Sequence, residues 1–126
     1  MKQLKKGILV ALLLLATIGY SQNNESNEKV LHHVLLFQWS VDHDKNTKAE
    51  VLSLFEGLPS KIKGLKSFEI LDVTSSSGNF DSVLIFQFSS EEALEIYQEH
   101  PDHLRVKEIA PPLLSGFSEY DYWKER

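Results

Sequence analysis

The stretch Val30 to Trp39 (VLHHVLLFQW) constrains the fold more than any other part of the chain. Successive side chains of an extended backbone point to opposite faces. His33, Leu35, Phe37 and Trp39 share one face; Val34, Leu36 and Gln38 share the other. Both faces are largely apolar, so the stretch reads as a strand covered on both sides.

The rest of the chain alternates between helical and extended periods. Thr47 with Glu50 has capping-box spacing. Val51, Leu54, Phe55 and Leu58 follow at helical intervals, which predicts a helix from Lys48 to Leu58. Pro59 disrupts it and Gly64 marks a turn. Lys66 to Val73 reads as a second strand and Ser82 to Phe88 as a third, joined antiparallel through a hairpin-type loop. Ser89 with Glu92 is a second capping box, opening a short helix through Ala93, Leu94 and Tyr97. Pro101 interrupts it, and Asp102 to Ile109 resumes as helix at a changed angle. Phe117 to Trp123 (FSEYDYW) is the fourth strand.

This order predicts an α+β, ferredoxin-like β-α-β-β-α-β domain: an antiparallel four-stranded sheet with two helices on one face. A chain of 126 residues suits one domain. Little chain remains to cover the second sheet face, and a bare apolar face of that kind marks an interface. The expectation is a homodimer through the open sheet face. The alternative is a monomer whose sheet face is wet or filled by a ligand.

Composition removes several function classes. There are 18 acidic residues against 13 basic ones, and no cysteine. Without Cys there is no disulfide scaffold, thiolate nucleophile or Cys-ligated metal centre. The formal charge of −5 argues against a nucleic-acid partner. No Gly-rich phosphate loop and no Gly-x-Ser-x-Gly elbow occurs.

Residues 1 to 21 read as a signal peptide. Lys2, Lys5 and Lys6 precede an apolar run from Gly7 to Gly19, short for a membrane span, and Gly19 and Ser21 suit a cleavage site. An uncleaved signal anchor is the alternative. The expected product is exported, periplasmic or secreted, and has no membrane association once cleaved. Cleavage would leave 10 basic against 18 acidic residues, a net charge of −8. Residues 22 to 29 read as a flexible leader, and 30 to 126 as the folded domain.

Two groups of residues could carry chemistry. Tyr97, His100 and His103 follow one another at intervals of three, and each such step turns a helix by roughly 300°. His titrates near neutrality, and Tyr can donate to an enolate oxygen, so the pair could abstract a proton beside a carbonyl. The purely structural reading makes His100 a helix-end residue, His103 a packed ring and Tyr97 core. His32 and His33 are adjacent and face opposite ways. No His pair with a carboxylate in step suggests a metal site, so no metal or other cofactor is expected.

Four segments together resemble the stress-responsive α/β-barrel (Dabb) family. They are His33-Val-Leu-Leu-Phe37; Leu58-Pro-Ser-Lys-Ile62 with Gly64 and Leu65; Phe80-Asp81; and Tyr97-x-x-His100-Pro101-x-His103. The last is the most specific. The resemblance spans Val30 to Trp123 and implies a dimeric α/β barrel. A plant member of the family, olivetolic acid cyclase, is similar over the same segments. Its acid/base pair maps onto Tyr97 and His103, with His33 also in the pocket. Trp39 and Phe86 depart from that member's pocket, and its cytosolic thioester substrates would be absent outside the cell.

A doubly apolar sheet with only a few convergent polar groups is how small-molecule pockets are built, so a small apolar or aromatic ligand is expected in the barrel interior. His33, Leu35, Phe37, Phe86, Tyr97, His100 and His103 are the expected contacts. The alternative function is an acid/base enzyme, a cyclase or lyase on a carbonyl substrate, using His103 and Tyr97.

Overall fold

A computed structural model describes residues 28 to 126. The signal peptide and most of the leader lie outside the described residues. Strand β1 spans Lys29–Trp39, helix α1 Lys45–Gly57, β2 Leu65–Asp72 and β3 Ser82–Phe88. Helices α2 (Glu91–Glu99) and α3 (Pro101–Ile109) follow, and β4 (Leu114–Glu125) closes the chain. Short 3-10 turns at Leu58–Ser60 and Pro111–Leu113 end α1 and α3.

The sheet is fully antiparallel in the order β2-β3-β1-β4. This is the ferredoxin-like arrangement, with β1 and β3 central as the doubly apolar pattern of β1 requires. Leu31, His33, Leu35, Phe37 and Trp39 turn toward the helices and are buried. They meet Leu84, Phe86 and Phe88 of β3, Val51 and Phe55 of α1, and Tyr97 of α2 in one core. Burying such rings and branched chains contributes about 1.5–3 kcal/mol each.

The helical layer has three helices rather than two. Proline lacks the amide proton a helix interior needs and disfavours helical geometry in the residue before it. His100 accordingly takes φ −63°, ψ 136°, and the helix breaks there.

Two expected caps move. Asp44, not Thr47, caps α1: its carboxylate accepts from the Thr47 N–H at 2.8 Å. Ser90, not Ser89, caps α2 by accepting from the Ala93 N–H at 3.1 Å. In each case an equally good capping residue lies where the backbone first turns helical.

The turn before β2 requires its glycine. Gly64 has φ +92°, and a Cβ there would stand 2.8 Å from the Ala93 Cβ. Its carbonyl accepts from the Ser89 N–H at 2.8 Å, joining the start of β2 to the end of β3. Asp81 does similar work at the other end of the sheet. Its N–H donates to the Phe37 carbonyl, and its carboxylate accepts from the Trp39 N–H at 2.9 Å.

No layer among the described residues covers the second sheet face. Val34 is buried there between its neighbours, but Leu71, Tyr120 and Tyr122 are 48%, 50% and 42% exposed. His32 stacks on Tyr122 with ring centroids 4.8 Å apart and planes 11° apart.

Candidate functional site

Helix α3 stands off the sheet far enough to leave a cavity of about 710 Å³. It is held in place at its edges. Lys61, after the first 3-10 turn, donates to Asp102 of α3 at 2.7 Å, and Arg105 pairs with Glu50 of α1 at 3.4 Å.

The cavity changes character along β1. Near Phe37 its walls are Leu35, Phe55, Val106, Ala110, Leu114 and Phe117. Near His33 they are His33, Tyr97, Gln98 and His103, with Lys107 and Glu119 exposed among the lining.

Tyr97 is fully buried. Its ring lies against His33, Phe86 and Phe88 at centroid distances of 5.5, 5.0 and 5.3 Å. Its Oη is buried without a hydrogen-bond partner. Burial, helped by the charges of Glu119 and Asp121, pushes the phenol well above its ordinary range, so it stays protonated.

His103 comes from the far side of the helix break. Its ring centroid is 4.2 Å from that of Tyr97. Its Nδ1 lies 3.1 Å from the Gln98 carbonyl oxygen. A carbonyl only accepts, so Nδ1 carries the proton and Nε2 of the neutral ring is free to accept. Burial lowers the affinity of this ring for a second proton, against an opposing contribution from the Gln98 hydrogen bond. The neighbouring Lys107 and His33 lower it further.

His33 is 6% exposed. Its Nδ1 lies 2.5 Å from Asp121 Oδ1 and donates to that carboxylate. The antiparallel register places Asp121 directly opposite His33 and Glu119 directly opposite Leu35.

Of the expected contacts, the structure brings His33, Leu35, Phe37, Tyr97 and His103 to one cavity. Phe86 and His100 do not line it. Phe86 is packed beneath the cavity among Phe55, Phe68 and Tyr97, at centroid distances of 5.3, 4.8 and 5.0 Å. The His100 ring caps α3, its Nδ1 accepting from the Asp102 N–H at 3.1 Å.

This cavity lies between the sheet and the helices within one chain, where His33, Leu35 and Phe37 project toward the helical layer. Asp121 and Glu119 were not anticipated. The signal for both is the alternation in FSEYDYW: the acids share a face with Phe117 and the tyrosines occupy the other. Among the described residues, no group of three or more His, Asp or Glu is placed to hold a metal ion.

The chain matches the stress responsive A/B barrel domain over residues 31–124. No curated protein matches it. Among solved structures, it is similar to a dimeric ferredoxin-like protein of unknown function from Thermobifida fusca. The two are 24% identical, with 79% of this chain and 94% of that one covered and a TM-score of 0.63. A Dabb family protein with a ferredoxin-like fold from Mesorhizobium loti is 24% identical over 75% of this chain and 95% of that one, with a TM-score of 0.61. The hydroxynitrile lyase of Passiflora edulis is 10% identical over 79% and 96%, with a TM-score of 0.69. At these identities the likenesses carry the fold alone. The family match covers both central strands, the helix break and the strand that brings Asp121 to His33, and the chain belongs to the stress responsive A/B barrel domain family.

Proposed function

We propose that this protein is an exported homodimer whose subunits each bind a small apolar or aromatic molecule in the cavity beside Tyr97. One observation carries the reading. A cavity of about 710 Å³ has Tyr97 in its wall, and the hydroxyl of that residue is buried without a partner in the chain. Buried polar groups are nearly always paired, and small-molecule sites combine apolar walls with a few converging polar groups. His33, Leu35, Phe37, Tyr97 and His103 are the contacts assigned to the ligand.

The dimer reading rests on the uncovered sheet face with its exposed Leu71, Tyr120 and Tyr122. The Thermobifida fusca neighbour, described as dimeric, supports it. The export reading rests on Lys2, Lys5, Lys6 and the apolar run that follows them.

Native mass spectrometry of the protein purified from its own host tests all three. The expected species is a dimer of chains starting near Gln22 with a small molecule retained. A bare monomer overturns both the dimer and the ligand, and chains starting at Met1 overturn cleavage.

A second reading, an acid/base enzyme of cyclase or lyase type, is favoured by the state of His103. Its free Nε2 can take a proton from carbon while Tyr97 Oη donates to the adjacent carbonyl oxygen. Its test is hydrogen–deuterium exchange at the α-carbon of a simple aryl ketone such as phenylacetone. Exchange lost in His103→Gln supports it; exchange no faster than in buffer overturns it.

A further inference from the structure

We infer that the cavity takes a zwitterion, an apolar or aromatic body carrying an ammonium and a carboxylate as an aromatic amino acid does, with the charged end at the rim between Lys107 and Glu119. The inference rests on the small-molecule reading above and names the chemical class of its ligand.

The lining residues divide by exposure. Leu35, Phe37, Phe55 and Val106 are buried. Gln98, Lys107 and Pro111 from the helical layer, and Ser115, Phe117 and Glu119 from β4, are exposed. Residues that line a cavity and also meet solvent mark its opening, so the mouth lies between the helical layer and the edge strand β4. An apolar body can enter there while a charged end stays at the rim, where water still reaches it.

The rim carries one charge of each sign. Lys107 is one helical turn beyond His103, and Glu119 is directly opposite Leu35. Both charges are felt at the His103 ring: burial chiefly lowers its proton affinity, Lys107 lowers it further and Glu119 raises it. The two therefore stand near the same stretch of the mouth. Apart from the histidines, they are the only charge-bearing residues that line this cavity.

The fold uses neither of them in an ion pair. The other charges of α3, Asp102, Arg105 and Glu108, are paired, and Asp121 holds His33. Lys107 and Glu119 are in no ion pair among the described residues. A ligand with a carboxylate alone would meet Lys107 but also face Glu119. A ligand with an ammonium alone has the reverse problem. A zwitterion attracts both and repels neither.

The test is an NMR titration near pH 7.5 of ¹⁵N-labelled protein purified from its own host, following the amides of Gln98, Ser115 and Gly116 at the cavity. The probes share one apolar body: phenylalanine, 3-phenylpropanoate, 2-phenylethylamine and ethylbenzene. Exposed ion pairs are individually weak, so phenylalanine should lead each singly charged probe by about threefold to tenfold. That lead should fall toward unity at about 1 M salt. Lys107→Gln should weaken phenylalanine and phenylpropanoate but not phenylethylamine, and Glu119→Gln should weaken phenylalanine and phenylethylamine but not phenylpropanoate. Both side chains are exposed, so these replacements disturb folding little.

Either singly charged probe binding as tightly as phenylalanine overturns the zwitterion and leaves the small-molecule reading standing. So does ethylbenzene binding alone, or a phenylalanine lead that survives both replacements. Failure of all four probes to move the cavity amides overturns both. The comparison among probes uses the unaltered protein, so the outcome does not depend on a variant folding.

Discussion

His33 and Asp121 stand opposite each other on β1 and β4, 88 residues apart in sequence and 2.5 Å apart between Nδ1 and Oδ1. The imidazole is buried and the carboxylate is 43% exposed, so the pair links the cavity wall to the surface. Asp121→Ala leaves a buried ring nitrogen unpaired, which costs about 1–3 kcal/mol. Thermal unfolding should show a drop of roughly 4–8 °C per kcal/mol for a domain of this size. Asp121→Asn, which keeps an acceptor oxygen, should recover most of it. An unchanged melting temperature in Asp121→Ala would show that water replaces the carboxylate.

Tyr97→Phe should act in the opposite direction. The substitution removes a hydroxyl that is buried and unpaired while keeping a ring packed on all sides. The folded state should gain up to about 1 kcal/mol in the absence of ligand. Calorimetry of ligand-free protein checks this. A lower melting temperature would reveal a partner for Oη in solution.

Acid should weaken the fold through His103. Burial depresses its proton affinity below the ordinary value of 6.5. The unfolded chain therefore binds more protons than the folded one as the solution acidifies. The stabilising contribution is complete above pH 6.5 and declines as pH falls through that value toward the folded one. Denaturant titrations at pH 7.5 and 5.5 should show a larger loss for the unaltered protein than for His103→Gln. Equal losses would assign the effect to another group.

The open sheet face should hold the dimer. Tyr120 and Tyr122 are half-exposed in the single chain, so acidic replacements there cost the subunit little. The double variant Tyr120→Glu/Tyr122→Glu should elute as a folded monomer, measured by light scattering with circular dichroism as the control. A dimer that persists would move the interface elsewhere.

Gly64→Ala should destabilise by about 1–3 kcal/mol, since the added methyl group meets Ala93 and the backbone stays at φ +92°. Chemical denaturation gives the value. A neutral result would mean that the turn relaxes.

Much of this architecture is legible in the sequence because period 2 and period 3.6 are distinct signals. The β3 strand lies where SVLIFQF places it, and β1 is buried on its helix-facing side as its alternation requires. The caps were less legible. Asp44 and Thr47, or Ser89 and Ser90, are similar capping residues, and only the backbone path decides between them. The side of the sheet that holds this cavity was not legible, because periodicity tells that a strand has two apolar faces but not which one a helix approaches closely. The His33–Asp121 contact depends on antiparallel register over 88 residues, which no local pattern encodes.

The break at Pro101 has a consequence for how this site can vary. Tyr97 and His103 are six residues apart, and in an unbroken helix six residues turn the chain by roughly 600°, which leaves the two side chains pointing well away from each other. Their rings meet only because the helix stops and restarts between them. A descendant that mended the helix could retain every aromatic of its interior and still lose the pairing. The pairing of the two rings therefore depends on the proline between them as well as on the rings themselves.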